Sequence, residues 1–371
     1  MASILLPITS VEVFRVAIPM AGDGFRNAYA NNTAQHSIVL RIRSGDHIGL
    51  GNVDPLPGYS VETIDESLAA LRKVLAPALI GRDAGNLRQI AALMDTALAG
   101  YMEAKAAVDM ACCDLLARAL AIPVHQLLGG AVTRRLRLNG WIGIVPPEQA
   151  AREALQWQAA GFQSAKIKLG GGIQADRERV RAVRQAVGPG MQLRGDANAG
   201  YGVDDGIALG RLLEPYQLQL LEQPVAAHDL AGLAKVRQAI GIPIMADEAI
   251  TDHQSLIDAI RADCADIVKF KIMKQGGLLK CRHMMETASA AGLKIVIGHG
   301  FGLNINTMAE IMLAATSADV LDGLESVGPL KMRDDVTIGR LDLSAGSLDL
   351  PDGPGLGLEL DEEKVERYRG D

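Results

Sequence analysis

The sequence predicts an α/β protein, a (β/α)₈ barrel of the TIM type behind an N-terminal α+β capping domain, and three observations predict it. From Arg135 onward, short apolar runs alternate with helical stretches: LRLNGWIGI, SAKIKL, MQLRGD, LQLLEQ, IPIMADE, DIVKFKI, LKIVIGHG and LDGLES. Eight such βα units in succession close a barrel more readily than they extend an open sheet, the doubly wound sheet being the alternative. Forty glycines against 4% aromatic residues suit many turns and a core of small aliphatics. Finally, a polar residue ends each of seven runs, at intervals of 24 to 28 residues, about one βα unit each.

The first ~55 residues read as strands. Phe14, Val16 and Ile18 alternate with other residues, as do Ile38, Leu40 and Ile42, and Pro19 ends the first strand. A polar, Gly/Asn-rich segment, Ala21 to Gln35, lies between them, and a second irregular segment, GNVDPLPGYS, spans Gly51 to Ser60. Loops of more than about 12 residues are uncommon unless they serve a function. Helices are expected over Val61–Ala76, Asp83–Leu98 and Tyr101–Leu120; in the last, Val108, Ala111, Cys112 and Leu115 share one face. Gly129-Gly130 closes this part. The expected division is a capping domain at 1–130, a barrel at 131–340, and a tail at 341–371 that returns to the capping domain.

Hydrophobic residues make up 49% of the chain and charged residues 22%, as in ordinary globular proteins. The net charge of -7 and the lack of like-charge runs argue against a nucleic-acid partner. No apolar run approaches 18 residues, so no membrane association is expected. The segment Met1 to Pro7 has no basic n-region, as a signal peptide would. Cys112, Cys113, Cys264 and Cys281 show no CxxC spacing and read as buried thiols of a cytoplasmic protein.

The residues ending the runs are Lys168, Asp196, Glu222, Asp247, Lys271, His299 and Glu325. The C-terminal ends of barrel strands all face one mouth, where barrel active sites sit. Asp196, Glu222 and Asp247 on three adjacent strands would repel one another unless a cation joins them. Oxygen-only ligands favour a hard ion, so one Mg²⁺ is expected, with Mn²⁺ able to replace it. Lys166 and Lys168, two apart in a strand, point the same way, and crowding two ammonium groups lowers the pKa of at least one. Lys271, on the sixth strand, faces Lys168 across the barrel. Two lysines flanking a metal suit removal of the proton next to a substrate carboxylate, with the cation stabilising the enediolate.

The order KIK, DAN (Asp196 to Asn198), LEQP (Leu221 to Pro224), ADE (Ala246 to Glu248) and KIMKQGG (Lys271 to Gly277) resembles the enolase superfamily. Within it the chain is most similar to the mandelate racemase/muconate lactonizing enzyme family, in its muconate lactonizing subgroup. The likeness runs through AKAAVDMACCDLLARAL to the closing DLPDGPGLGLELDEE. It implies Asp196, Glu222 and Asp247 as metal ligands, Lys168 and Lys271 as the acid/base pair, and Lys166 as the residue tuning Lys168. It also implies a small carboxylate substrate, a symmetric homo-oligomer, and capping loops at about 21 to 35 and 51 to 60 that choose the substrate. Candidate substrate contacts are Asn198, His299, Glu325, Tyr59 and Arg26, the last toward a second substrate carboxylate.

Some positions depart from the family's branches. Strand six offers Lys271 where the mandelate racemase branch has an Asp paired to a strand-seven His, so His299 is expected to line the pocket rather than act as base. Lys269 adds a second Lys-x-Lys, and Asp322 and Glu325 replace the Asp-x-Asp with which dipeptide epimerases grip an ammonium. The expected activity is that of an isomerase, a racemase/epimerase or a cycloisomerase. A dehydratase or succinylbenzoate-synthase-like lyase is the alternative, and a non-enzymatic binding barrel the third reading.

Overall fold

The computed structural model describes residues 4–22, 25–26, 31–56 and 60–370, with backbone alone at 25–26 and 31–32. The N-terminal part is built on a three-stranded antiparallel sheet of β1 (Ser10–Pro19), β2 (Ala34–Ser44) and β3 (His47–Val53), with β2 central. Phe14, Val16 and Ile18 are buried as their alternation requires. In β2 the alternation is lost because both faces are covered: Ile38, Val39, Leu40 and Ile42 are all fully buried. Arg41 on the same strand is buried too, and its guanidinium is held by both carboxylate oxygens of Glu12 at 2.6 and 2.8 Å.

Three helices complete this part: α1 (Ile64–Ala70), α2 (Leu87–Ala97) and α3 (Met102–Ala119). Thr63 and Glu66 cap α1 reciprocally, satisfying two N–H groups that a helix start leaves open. The helix expected over Val61–Ala76 thus begins at Ile64, and it continues through a π-helical segment at Leu71–Leu75 to Leu79. The one expected from Asp83 begins only at Leu87, because the Asp83 carboxylate binds the N–H groups of Leu6 and Gly85 at 2.9 Å and holds a turn. α3 is buried on nearly every side. It lies so close to β3 that a Cβ on Gly49 or Gly51 would meet the Ala111 or Ala107 carbonyl oxygen at 2.0 Å. Only glycine permits that approach.

The barrel strands are β4 (Asn139–Ile142), β5 (Ser164–Lys168), β6 (Gln192–Asp196), β7 (Leu220–Glu222), β8 (Ile244–Ala246), β9 (Ile267–Phe270) and β10 (Lys294–Ile297), parallel and hydrogen-bonded in chain order. The eighth run closes the circle through single bridges, Ile295 with Val320 and Leu138 with Leu324. Glu325 N–H donates to Ile297 O at 2.9 Å on one side, and Asn139 N–H donates to Leu324 O at 2.8 Å on the other. Helices follow the strands, from α4 (Pro147–Ala159) and α5 (Ile173–Val187) to α6 (Asn304–Ala314), which is buried throughout. The fold is therefore the expected (β/α)₈ barrel with an α+β cap.

The tail touches both parts. Ser347–Asp349 pairs antiparallel with Arg135–Arg137 at the start of the barrel. Helix α7 (Glu362–Tyr368) lies by the cap sheet, where Glu362 binds Arg41 and Arg369 bridges to Val16. All four cysteines are free and buried. Among the described residues no helix is long and apolar enough to cross a membrane.

Candidate active site

Register sets the site. Trp141, Lys166 and Arg194 lie side by side on β4, β5 and β6, and one step toward the mouth Lys168 pairs with Asp196, which pairs with Glu222. Asp247 follows Ala246 at the end of β8, and Lys271 follows Phe270 at the end of β9. Because side chains alternate along a strand, Lys166 and Lys168 share the inner face, as do Arg194 and Asp196. Asp196, Glu222 and Asp247 are all buried, at 0–2% exposure, which forces each carboxylate to find a cation or a proton.

In the structure they find lysines. Lys168 Nζ donates to Asp196 Oδ2 and to Asn198 Oδ1, both at 2.7 Å. Lys271 Nζ donates to Asp247 Oδ2 at 2.7 Å, and Lys274 Nζ to Asp247 Oδ1 at 2.8 Å. Deeper in the barrel, Lys166 contacts Glu325, Glu222 at 3.2 Å and Asp196 at 3.1 Å. Lys269 meets Glu222 at 3.0 Å and Glu325 at 2.5 Å. Arg194 lies beneath, fully buried, donating to Gly323 O at 2.7 Å, Asp322 O at 2.6 Å and Gln219 Oε1 at 2.7 Å.

Backbone strain surrounds the acids. Asn198, Ala199 and Gln223 have positive φ without being glycine, a conformation that persists only where neighbours enforce it. Asn198 N–H donates to Asp196 Oδ1 at 3.0 Å, and its side chain donates to Glu248 at 3.1 Å. The Gln223 side-chain oxygen accepts from Asp247 N–H at 3.0 Å and Ala249 N–H at 3.2 Å, fixing the turn that carries Asp247.

The electrostatics divide the groups. Burial works against Lys166, but Glu222, Glu325 and Asp196 outweigh it and hold its pKa well above the usual lysine value. Lys166 is therefore not lowered by a neighbouring ammonium, because three carboxylates lie against its Nζ. For Lys271, Asp247 and Glu248 likewise outweigh burial and raise it. Burial and the charge of Asp196 push Glu222 up to about 8 despite Lys166 and Lys269. Burial, then Lys166 and Lys168, bring Lys331 down to about 7. Burial, Lys271 and Lys331 keep His299 well below the usual imidazole value.

Of the expected residues, the structure brings together Lys166, Lys168, Asp196, Asn198, Glu222, Asp247, Lys271 and Glu325. His299 lies among the positive charges of Lys271, Lys331 and Lys269, with its backbone N–H on Glu310 at 3.2 Å. Its Nε2 is buried without a hydrogen-bond partner among the described residues. Glu325, expected to touch substrate, is buried between Lys166, Lys269 and Arg194. Tyr59 and the Arg26 side chain lie outside the described residues.

Lys274, Gln223, Arg194 and Lys331 were not singled out from sequence. Lys274 could have been, since it lies three residues past Lys271, one turn of helix on. Arg194 shares the inner face of β6 with Asp196, a period-two signal already used for Lys166 and Lys168. Gln223 and Lys331 carry no local signal.

A capped (β/α)₈ barrel with three acids and several lysines at the C-terminal strand ends defines a barrel enzyme. Residues 149–364 match the family model described as enolase C-terminal domain-like. Residues 8–129 match that of the mandelate racemase / muconate lactonizing enzyme N-terminal domain. The chain belongs to the mandelate racemase / muconate lactonizing enzyme family of the enolase superfamily, and it is an isomerase-type enzyme of that family. It is 30% identical over 363 residues to an N-succinyl-L-Arg/Lys racemase of Bacillus cereus, covering 97% of each chain. The crystal structure of that racemase superposes with a TM-score of 0.93 over 99% of both chains, at 28% identity. A chloromuconate cycloisomerase of Cupriavidus necator is 30% identical over 90% of this chain and 91% of its own. A dipeptide epimerase of Enterococcus faecalis, solved with Mg and the dipeptide L-Leu-L-Tyr, gives a TM-score of 0.91 at 30% identity over 95% of this chain and all of its own.

Proposed function

We propose that this chain is a racemase or epimerase that exchanges the proton on the carbon next to a substrate carboxylate, with one Mg²⁺ bound by Asp196, Glu222 and Asp247. The observation that carries the reading is the placement of Lys168 and Lys271. Lys168 ends β5 and Lys271 follows β9, four strands apart in an eight-membered circle, and each binds an outer member of the acid trio at 2.7 Å.

The donor set fits a hard divalent ion. It is all oxygen, it comes from consecutive strand ends, and Glu222 is an acid that burial and Asp196 prevent from ionising easily without an added cation. Among the described residues no three acidic, His or Cys side chains converge on one point in the present rotamers, since the carboxylates turn to ammonium groups. Binding of an ion therefore entails releasing some of those contacts. When bound, the ion supplies positive charge for the substrate carboxylate as the adjacent C–H bond breaks.

The chain's own residues do the rest. A lysine hydrogen-bonded to a carboxylate is held as ammonium, the acid form; one whose carboxylate turns away becomes the base. Lys168 and Lys271, approaching from opposite sides, can remove the proton on one face and return it on the other. Asn198 orients Lys168 through its side-chain oxygen. Lys166, Lys269 and Glu325 form a buried, ion-paired floor beneath them. The test is incubation with Mg²⁺ and a panel of chiral carboxylates in D₂O. Deuterium entering at the α-carbon with loss of optical purity is the expected result; elimination of water, or no exchange with any of them, would overturn it.

A further inference from the structure

Two Lys-x-Lys pairs stand on opposite strands, Lys166 with Lys168 on β5, and Lys269 on β9 with Lys271 just after it. The proton transfer described above gives Lys269 no part. The inner lysine of each pair nevertheless reaches toward the acids between them. Lys166 Nζ lies 3.2 Å from Glu222 Oε2 and 3.1 Å from Asp196 Oδ2. Lys269 Nζ lies 3.0 Å from Glu222 Oε1 and 3.9 Å from Asp247 Oδ2. Glu222, the middle acid, thus has an ammonium group on each of its oxygens. Both lysines also meet Glu325 Oε2, Lys269 at 2.5 Å, so the eighth strand anchors them from the far side.

These lysines differ in how freely they can leave the acids. The side chains of Lys168 and Lys271 are 25% and 14% exposed at the mouth, which leaves them room to turn aside when an ion arrives. That of Lys269 is 2% exposed, closed inside the barrel with Glu325 beside it. Pulled away from its carboxylates, it would become a buried charge without a counter-ion, which is strongly unfavourable. It therefore stays, and an ion bound to Glu222 and Asp247 shares those acids with a fixed positive charge. At such separations, with little water to screen them, two cations repel appreciably. Removing the Lys269 charge would leave the same oxygen donors one unit more negative.

We propose that Lys269, pinned by Glu325, is a resident counter-cation of the acid trio that competes with the divalent ion at Glu222 and Asp247 and holds its affinity down. This rests on the reading above that the ion binds Asp196, Glu222 and Asp247. Lys269 is then a positioning residue that acts on metal binding rather than on proton transfer.

Calorimetric titration of the metal-free protein with Mg²⁺ tests it. K269M should bind Mg²⁺ about tenfold or more tightly than the wild type, while K269R, which keeps the charge, should show no gain. A packing role alone has the opposite sign, since loosening the acids weakens their hold on the ion. K269M affinity equal to or below that of the wild type, including no binding by either protein, overturns the proposal. So does a K269R variant that gains as much as K269M. If K269M does not fold, K269Q takes its place with the same expected gain. E222Q separates this proposal from the metal site on which it rests. Added to K269M, it should remove the gain; a gain that survives E222Q puts the ion away from the trio and sinks both. If E222Q and D247N weaken Mg²⁺ binding in the wild-type background while K269M gains nothing, the metal site stands and the role of Lys269 falls. Because binding alone is read, a protein that tightens as expected but exchanges no deuterium sinks the racemase reading and keeps this one.

Discussion

Lys168 stands 2.7 Å from Asp196, its direct neighbour in the β5–β6 ladder, so a candidate base and a candidate metal ligand hold each other in the resting protein. Lys271 repeats the arrangement with Asp247 on the far side. Replacing either lysine by methionine is expected to lower racemisation by about 10³-fold, in line with the loss of one acid/base group. Chiral chromatography of the product checks this, and a variant that keeps wild-type racemisation would sink the two-lysine scheme.

The acid trio is expected to govern metal affinity. E222Q and D247N should each weaken Mg²⁺ binding measured by calorimetry by about tenfold or more, and a chelator should abolish deuterium exchange until Mg²⁺ is restored. Unchanged affinity in both variants would move the ion elsewhere.

Asp54 gives a pH test of stability. It is fully buried, takes a hydrogen bond from Ser37, and has Oδ2 without a partner among the described residues. Burial pushes its pKa up from 3.8 to about 7. The folded state therefore holds the proton more tightly than the unfolded chain. That contribution to stability is full below about pH 4 and is lost as pH rises through about 7. D54N should be more stable than the wild type at pH 8, by on the order of 2 kcal/mol, with the advantage shrinking toward pH 4. Urea unfolding at the two pH values reads the difference; a gap independent of pH would contradict the assignment.

Gly298 follows β10 with φ of 134°, and a Cβ there would lie 2.4 Å from the Glu325 carbonyl carbon. G298A should cost roughly 3 kcal/mol or more, since backbone rather than a flexible side chain must move. A thermal melt that overlays the wild type would show that strand eight yields more easily than its packing implies.

Arg194 holds strand eight from within, on the carbonyls of Gly323 and Asp322. R194M leaves those carbonyls without their buried donor and Glu325 with Lys166 and Lys269 alone, and is expected to destabilise by about 3–5 kcal/mol. Denaturant unfolding checks it, and a loss below ~1 kcal/mol would show that the bridges of strand eight suffice.

The sequence by itself determined the barrel, the order of its strands and the residues at their mouth-facing ends. Those features are periodic and local: apolar runs spaced by helices, and one polar residue closing each run. It also determined Lys166 and Lys168 as inward neighbours, because alternation along a strand is a local rule. Only the tertiary structure decided how these charges pair. Lys166 is raised because Glu222, Glu325 and Asp196 arrive from strands far along the chain. Glu325 turned out to be a buried counter-ion, and Asp83 a turn-maker instead of a helix start, for the same reason: each depends on partners that spacing does not announce. Lys331 had no signal at all, since its meaning comes from Trp141 and Phe301, which meet it only when strands one, seven and eight close the circle. Periodicity writes the scaffold locally, whereas burial and charge are sums over neighbours that folding alone assembles.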